Sequence, residues 1–84
     1  MIPLHELLSR ILWDPEFGRG EFVLGYLDRL RDELVHVPLR EVQRNPDSHF
    51  CFDVTDDAGV LHSVPWHRVK EVWKDGVLIW RRER

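Results

Sequence analysis

A single cysteine, Cys51, in a chain of 84 residues leaves no partner for an intramolecular disulfide. It also excludes a zinc site built from several thiolates. No apolar run approaches the roughly 18 residues that a membrane-spanning helix needs, and the first residues lack the basic-then-apolar order of a secretory signal. A cytoplasmic protein with no membrane partner is therefore expected. Lysine is scarce: ten of the 12 basic residues are Arg, and only Lys70 and Lys74 are Lys. No glycine-rich phosphate loop follows a strand pattern, since Gly18-Arg19-Gly20 is too short and precedes one. The histidines are His5, His36, His49, His62 and His67. None stands in a His-Glu-x-x-His zinc helix, and none is followed two residues later by the Ser or Thr of a two-histidine phosphoesterase. Paired proton carriers for acid–base catalysis are not evident, so no catalytic residue, metal or cofactor is assigned.

What remains is the composition of one folded domain, residues 1–84, with 43% hydrophobic and 32% charged residues. The formal net charge of −3 argues against indiscriminate coating of nucleic acid. That sum hides an asymmetry. Residues 1–63 carry 12 acidic and 6 basic side chains, whereas residues 64–84 carry 3 acidic and 6 basic ones. Arginine dominates this excess, and its planar fork grips phosphate or carboxylate with two hydrogen bonds at once.

The periodicities point to an α+β fold. Leu4, Leu7, Leu8, Ile11 and Leu12 form an apolar stripe of helical spacing, which predicts a helix over about 3–13. Asp14-Pro15 stops it, because proline disfavours helical geometry in the residue before it. From Glu21 onward the period becomes two, and strands are expected at about 21–28, 34–37, 49–54, 60–64, 69–74 and 77–81. Phe50, Phe52 and Val54 fall on one side of the third. Asp75-Gly76 is the strongest turn signal, since both residues tolerate the positive φ of a type I′ hairpin. A two-residue loop there pairs Lys74 with Val77, Trp73 with Leu78, Val72 with Ile79 and Glu71 with Trp80. Val69, Trp73, Leu78 and Trp80 would share one face. Neither face of this hairpin is fully polar. The expected architecture is one N-terminal helix packed on a curled, barrel-like antiparallel sheet of five or six strands.

Two stretches echo each other at an offset of 27. Leu34–Val42 and Leu61–Val69 share Leu, Val, Pro and Val at equivalent positions, each reading as a strand, a proline-opened turn and a valine returning to the core. The first turn carries Leu39-Arg40-Glu41 and the second Trp66-His67-Arg68. A His-Arg pair beside an indole can donate several hydrogen bonds to an anion and offer a flat ring to a base. Lys70, Lys74, Arg81, Arg82 and Arg84 follow closely. Trp73 and Trp80 read as core residues and Cys51 as a structural thiol, while Trp13 and Trp66 are open to either packing or stacking.

Four ordered motifs carry a family resemblance: Ile11-Leu12-Trp13-Asp14-Pro15, Tyr26-Leu27-Asp28-Arg29, Pro65-Trp66-His67-Arg68-Val69 and Asp75-Gly76-Val77-Leu78-Ile79-Trp80-Arg81-Arg82. In this order they resemble the RNA cyclic group end recognition domain. The resemblance covers nearly the whole chain. It implies a small module proposed to recognise RNA ends bearing a 2′,3′-cyclic phosphate, and points to Trp13, Asp14, Asp28, Arg29, His67, Arg68, Trp80 and Arg82. The acidic stretch of Asp53, Asp56 and Asp57 departs from the pattern, as does Trp66, where a smaller or tyrosine-like residue is expected.

The resulting expectation is a binding module for an RNA 3′ end. Arg29, Arg68 and Arg82 would meet the phosphate, His67 would donate to it or to a ribose oxygen, and Trp13 or Trp66 would stack. Asp14 and Asp28 would orient the arginines, since carboxylates repel phosphate. The alternative is a protein-interaction or scaffold module, binding a protein partner or a second copy through the same Arg and Trp surface. An RNA-end phosphoesterase using His67 ranks third. Protonating all five histidines would carry the formal net charge from −3 to +2. RNA titrations should therefore show tighter binding in mildly acidic than in neutral buffer, and unchanged affinity would count against a role for His67.

Overall fold

Ten residues, Leu4–Trp13, form helix α1, in a computed structural model that describes residues 3–44, 47, 50–56 and 58–82. Pro3 stands just before it in extended conformation, its carbonyl accepting the N–H groups of Glu6 and Leu7. Asp14, ahead of Pro15, is extended and closes the other end. Leu4 and Leu7 are buried and Leu8 and Ile11 pack against the core, whereas Leu12 lies outside the buried stripe at 55% exposure. A 3-10 turn over Phe17–Arg19 returns the chain. It passes so close to α1 that a Cβ on Gly18 would collide with the backbone carbonyl of Ile11.

The strands follow as β1 (Phe22–Asp28), β2 (Glu33–Pro38), β3 (Gln43–Arg44), β4 (Cys51–Thr55), β5 (Leu61–Pro65), β6 (Val69–Lys74) and β7 (Val77–Arg81). The expected start of the third predicted strand at His49 lies outside the described residues, as do Asp57 and Arg84. The six predicted strands all have counterparts, and two-residue β3 was not foreseen. Gln43 and Arg44 are exposed and too few to show an alternation.

The curled, barrel-like sheet is corrected. Among the described residues there are two antiparallel sheets, ordered β2-β1-β6-β7 and β3-β4-β5, and no closed barrel. The chain changes sheets between β5 and β6 at Pro65, which has no N–H to carry the ladder onward. The same device appears between β2 and β3. Pro38 and Pro65 adopt matching extended backbones (φ −61, ψ 135 and φ −63, ψ 138), and each opens a three-residue 3-10 turn. Each turn ends at a valine, Val42 or Val69, whose N–H returns to the first turn residue. The sequence echo is thus a repeated local structure.

The register explains the core. Val37, Leu24, Val72 and Trp80 lie side by side across the larger sheet, with Val35, Tyr26 and Val69 in the neighbouring row. Leu24, Val69 and Val72 are fully buried and Trp80 nearly so. Val69 and Val72 are three residues apart and would face opposite ways in a regular strand. Lys70 is an unpaired extra residue between Glu71, opposite Gly25, and Val69, opposite Tyr26, so both valines turn inward. A second irregularity corrects the hairpin pairing. Lys74–Val77 and Trp73–Leu78 pair as expected, with Asp75 at φ 51 and Gly76 at φ 81, but Ile79 bulges out. Val72 therefore opposes Trp80, and Glu71 opposes Arg81. Val69 and Trp80 belong to the core, and Trp73 and Leu78 to the face turned away from it, so these four do not share a face as the simple register implies.

Phe52, Val54 and Val64 close the core from the smaller sheet. Phe52 joins the layers: its ring is fully buried, 5.9 Å edge-on from Tyr26 and 4.4 Å from the Trp66 ring. Among the described residues no helix is long and apolar enough to cross a membrane. Phe52→Ala removes the ring shared by both sheets and the Trp66 turn, and should lower stability by about 3–5 kcal/mol in urea unfolding. An unchanged midpoint would show that the layers do not depend on this ring.

Candidate nucleic-acid interface

The turn Trp66–Arg68 is fixed from three sides. Pro65 presets its entry, the Trp66 N–H donates to the Phe50 carbonyl at 2.9 Å, and the Trp66 ring rests on Phe52. From the far side, Arg82 donates twice to the start of β6, its backbone N–H to the Lys70 carbonyl (2.8 Å) and its Nε–H to the Val69 carbonyl (3.0 Å). The Arg82 guanidinium carbon lies 5.1 Å from the centre of the Trp80 ring, within cation–π range. His67 is exposed and Arg68 half-buried.

Antiparallel pairing brings more charge to this end. Tyr26 opposes Val69, so β1 runs on past the turn through Leu27 and Asp28 to exposed Arg29. Strand β7 ends here too, at Arg81 opposite Glu71. Arg29, His67, Arg68 and Arg82 therefore occupy one end of the larger sheet, with Lys70 and Arg81 beside them. The ion pairs among the described residues are Arg10–Asp14, Arg31–Glu33, His36–Glu71, Arg40–Glu21 and His62–Asp56, and none involves these cations. Glu71, the nearest ladder carboxylate, accepts hydrogen bonds from Trp73 Nε1 (3.2 Å) and from His36 Nε2 (3.1 Å). Those two bonds, led by Trp73, hold its pKa below the usual carboxylate value. Burial, reinforced by the Asp28 charge, pushes the Tyr26 phenol up, so it stays protonated at neutral pH.

Trp13 and Asp14 are not brought to this end. The Asp14 carbonyl accepts the Gly18 N–H (2.8 Å), and the chain then reaches the start of β1, where Glu21 and Asp75 exchange hydrogen bonds at 2.8 Å. Seven-residue β1 separates the two ends by about 20 Å. Trp13 is 78% exposed there. A shallow hollow of about 250 Å3, floored by Ile11, Phe22 and Leu39 and edged by the Glu21–Arg40 ion pair, also lies at that end.

Asp14 and Asp28 spend their carboxylates on turns. Asp14 Oδ1 accepts the Glu16 and Phe17 N–H groups, while its Oδ2 lies 3.8 Å from Arg10 Nε. Asp28 Oδ1 accepts the N–H groups of Leu30 (2.9 Å) and Arg31 (3.3 Å). Neither is paired with Arg29, Arg68 or Arg82. Trp66 is half-buried, one side of its ring taken by Phe52. Phe50, which the alternation places beside Phe52 and Val54, is instead 81% exposed. The ladder begins only at Cys51, opposite Pro65, so Phe50 stands beyond the sheet. The residue types of Pro46-Asp47-Ser48 just upstream, which favour turns over strands, are the sequence signal for a late start. Among the described residues no cluster of three or more His, Cys, Asp or Glu could hold a metal ion.

A small α+β module with a cationic, aromatic-flanked turn at one end of its larger sheet is the class that this geometry defines. The chain belongs to the MJ1316 RNA cyclic group end recognition domain family, whose pattern matches residues 1–82. It is similar to UPF0248 protein MMP0286 of Methanococcus maripaludis, 29% identical over 82 residues that span 94% of this chain and 97% of the relative. UPF0248 protein MmarC6_0667, from another strain of that organism, is also 29% identical with the same coverage. No solved structure matches.

Glu71 gives the site end a defined acid limit. Its carboxylate is stabilised in the folded chain, so the unfolded chain takes up the proton first as pH falls. That contribution is complete above the ordinary carboxylate pKa of 4.5 and is lost as pH drops through the lower folded value. Between neutral pH and about pH 3, urea unfolding should show Glu71→Gln losing less stability than the wild type, and parallel losses would refute the linkage.

Proposed function

We propose that the protein binds RNA 3′ ends that carry a 2′,3′-cyclic phosphate, at the turn Trp66–Arg68. The observation that carries this reading is the gathering of Arg29, His67, Arg68 and Arg82 at one end of the sheet, without a carboxylate partner among the described residues. Family membership supports it through the family's name. Arg68 and Arg29 supply charge-assisted donors to the single negative charge of a cyclic phosphate, and His67 donates to the phosphate or to a ribose oxygen. Arg82 supports the turn through Val69 while its terminal nitrogens add positive potential. Trp13 and Asp14 have no part in this reading, because they lie at the other end of β1.

Two or three such bonds, at roughly 1.5–3 kcal/mol each, must outweigh the cost of association. Affinity no tighter than micromolar is therefore expected. Oligonucleotides identical except for a cyclic phosphate, a linear phosphate or a hydroxyl at the 3′ end should bind in that order of decreasing affinity. Arg68→Ala and His67→Ala should each weaken binding of the cyclic form about tenfold or more. Equal affinity for the three ends, or no binding at low salt, would refute the reading. Sedimentation of the RNA-free chain as a concentration-dependent oligomer that buries Trp66 and His67 would favour a protein-interaction module instead.

A further inference from the structure

We propose that the site extends past the terminal cyclic phosphate to the preceding phosphodiester of the RNA, which Lys70 and Arg81 contact. This rests on the RNA-end reading and adds a second ligand group to it. A cyclic phosphate carries a single negative charge, and Arg29, His67, Arg68 and Arg82 already stand at the end of the sheet that would receive it. Lys70 and Arg81 are surplus to that one charge. Among the described residues no ion pair includes either of them. Glu71 lies opposite Arg81 in the ladder, and its carboxylate accepts hydrogen bonds from Trp73 and His36. One carboxylate beside Lys70, Arg81 and Arg82 leaves a positive excess.

Two irregularities of the last hairpin converge on these residues. Lys70 is the unpaired extra residue of β6, and Ile79 is the extra residue of β7. In a regular two-residue hairpin Arg81 would oppose Lys70. With Ile79 extra, Arg81 opposes Glu71 instead, and the Arg82 N–H reaches the Lys70 carbonyl at 2.8 Å. The bulged residue is thereby tied across the ladder to the strand end that carries both arginines. Bulges re-aim side chains and recur beside functional sites. Here the distance gives the bulge its meaning. Arg68 closes the 3-10 turn, and Lys70 is two residues further on, about 5–7 Å away by the rise of 3-10 and strand residues. That is the scale of one nucleotide step. A strand whose terminal phosphate meets Arg68 therefore brings its next phosphate to Lys70. Arg81, exposed on the neighbouring edge strand, is open to the same phosphate.

The test uses the full chain and two dinucleotide probes, each ending in a 2′,3′-cyclic phosphate. They differ only in the internucleotide linkage, which is an ordinary phosphodiester in one and a neutral methylphosphonate in the other. The wild type should bind the phosphodiester probe about tenfold tighter. A Lys70→Gln/Arg81→Gln double variant should bind both probes alike, close to the wild-type affinity for the neutral one. That retained affinity reports an intact fold and an intact terminal site. Arg81→Gln alone, at an exposed position, should already reduce the preference. Lys74→Gln removes the same charge at the other end of β6, where Nζ lies 4.5 Å from the centre of the Phe17 ring, and should keep it. Equal wild-type affinity for the two probes overturns the second phosphate contact alone. So does a preference that survives in the double variant, or one that Lys74→Gln abolishes equally. Loss of both probes by a double variant that unfolds at the wild-type temperature also overturns it, because the two residues would then serve the terminal phosphate. Failure of the wild type to bind either probe overturns the RNA-end reading, and this inference with it.

Discussion

The Phe52 ring is the contact through which the molecule becomes one object. A four-stranded sheet and a three-stranded sheet share no ladder among the described residues, so side-chain packing and the proline-opened connecting turns hold them together. Phe52 meets Tyr26 of the first sheet edge-on and underlies Trp66 of the connecting turn. Apolar burial is non-directional, but two aromatic rings packed on a third restrict orientation as well as distance. The position of the His67–Arg68 backbone follows from this contact. The turn is pinned to the core by Trp66, to Phe50 by a backbone hydrogen bond, and to the end of β7 by Arg82.

The paired proline turns show how one local structure serves two ends. Pro38 and Pro65 impose the same geometry, yet the side chains they display differ in charge and in company. Arg40 is matched by Glu21 at 2.8 Å, so that end is locally neutralised. At the equivalent position of the second turn stands His67, followed by Arg68, and neither is in an ion pair with a carboxylate among the described residues. A chain of net charge −3 thus brings several of its cations to one end of the larger sheet, while Asp28 and Glu71 at that end accept hydrogen bonds from neighbouring groups. Asp14, Asp28 and Asp56 each accept backbone N–H groups of their own loops.

Much of this was legible in order of residues. The helix shows in a stripe of period 3.6, the strands in alternation, and the last hairpin in Asp75-Gly76. His67 and Arg68 stand out because their turn repeats an earlier one with different side chains. The four family motifs name Arg29 and Arg82 from afar. What failed did so for definite reasons. The extra residues Lys70 and Ile79 shift alternation by one, which puts Val69 and Trp80 on the face opposite Trp73 and Leu78, where a regular register would keep all four together. Phe50 continues the alternation of Phe52 and Val54 but lies outside the ladder. Trp13 and Asp14 sit in a family motif, and motif order carries no distance.

By itself, then, the sequence determined the elements, their turns and the chemistry of the residues at them, because these depend on torsions and on neighbours a few positions apart. Only tertiary structure decided that the strands split into two sheets, which aromatic side chains are left exposed, and which arginines lie at the same end of a sheet. Those outcomes depend on the strand that happens to lie alongside, a relation between residues such as Tyr26 and Val69 that are 43 positions apart and share no local signal.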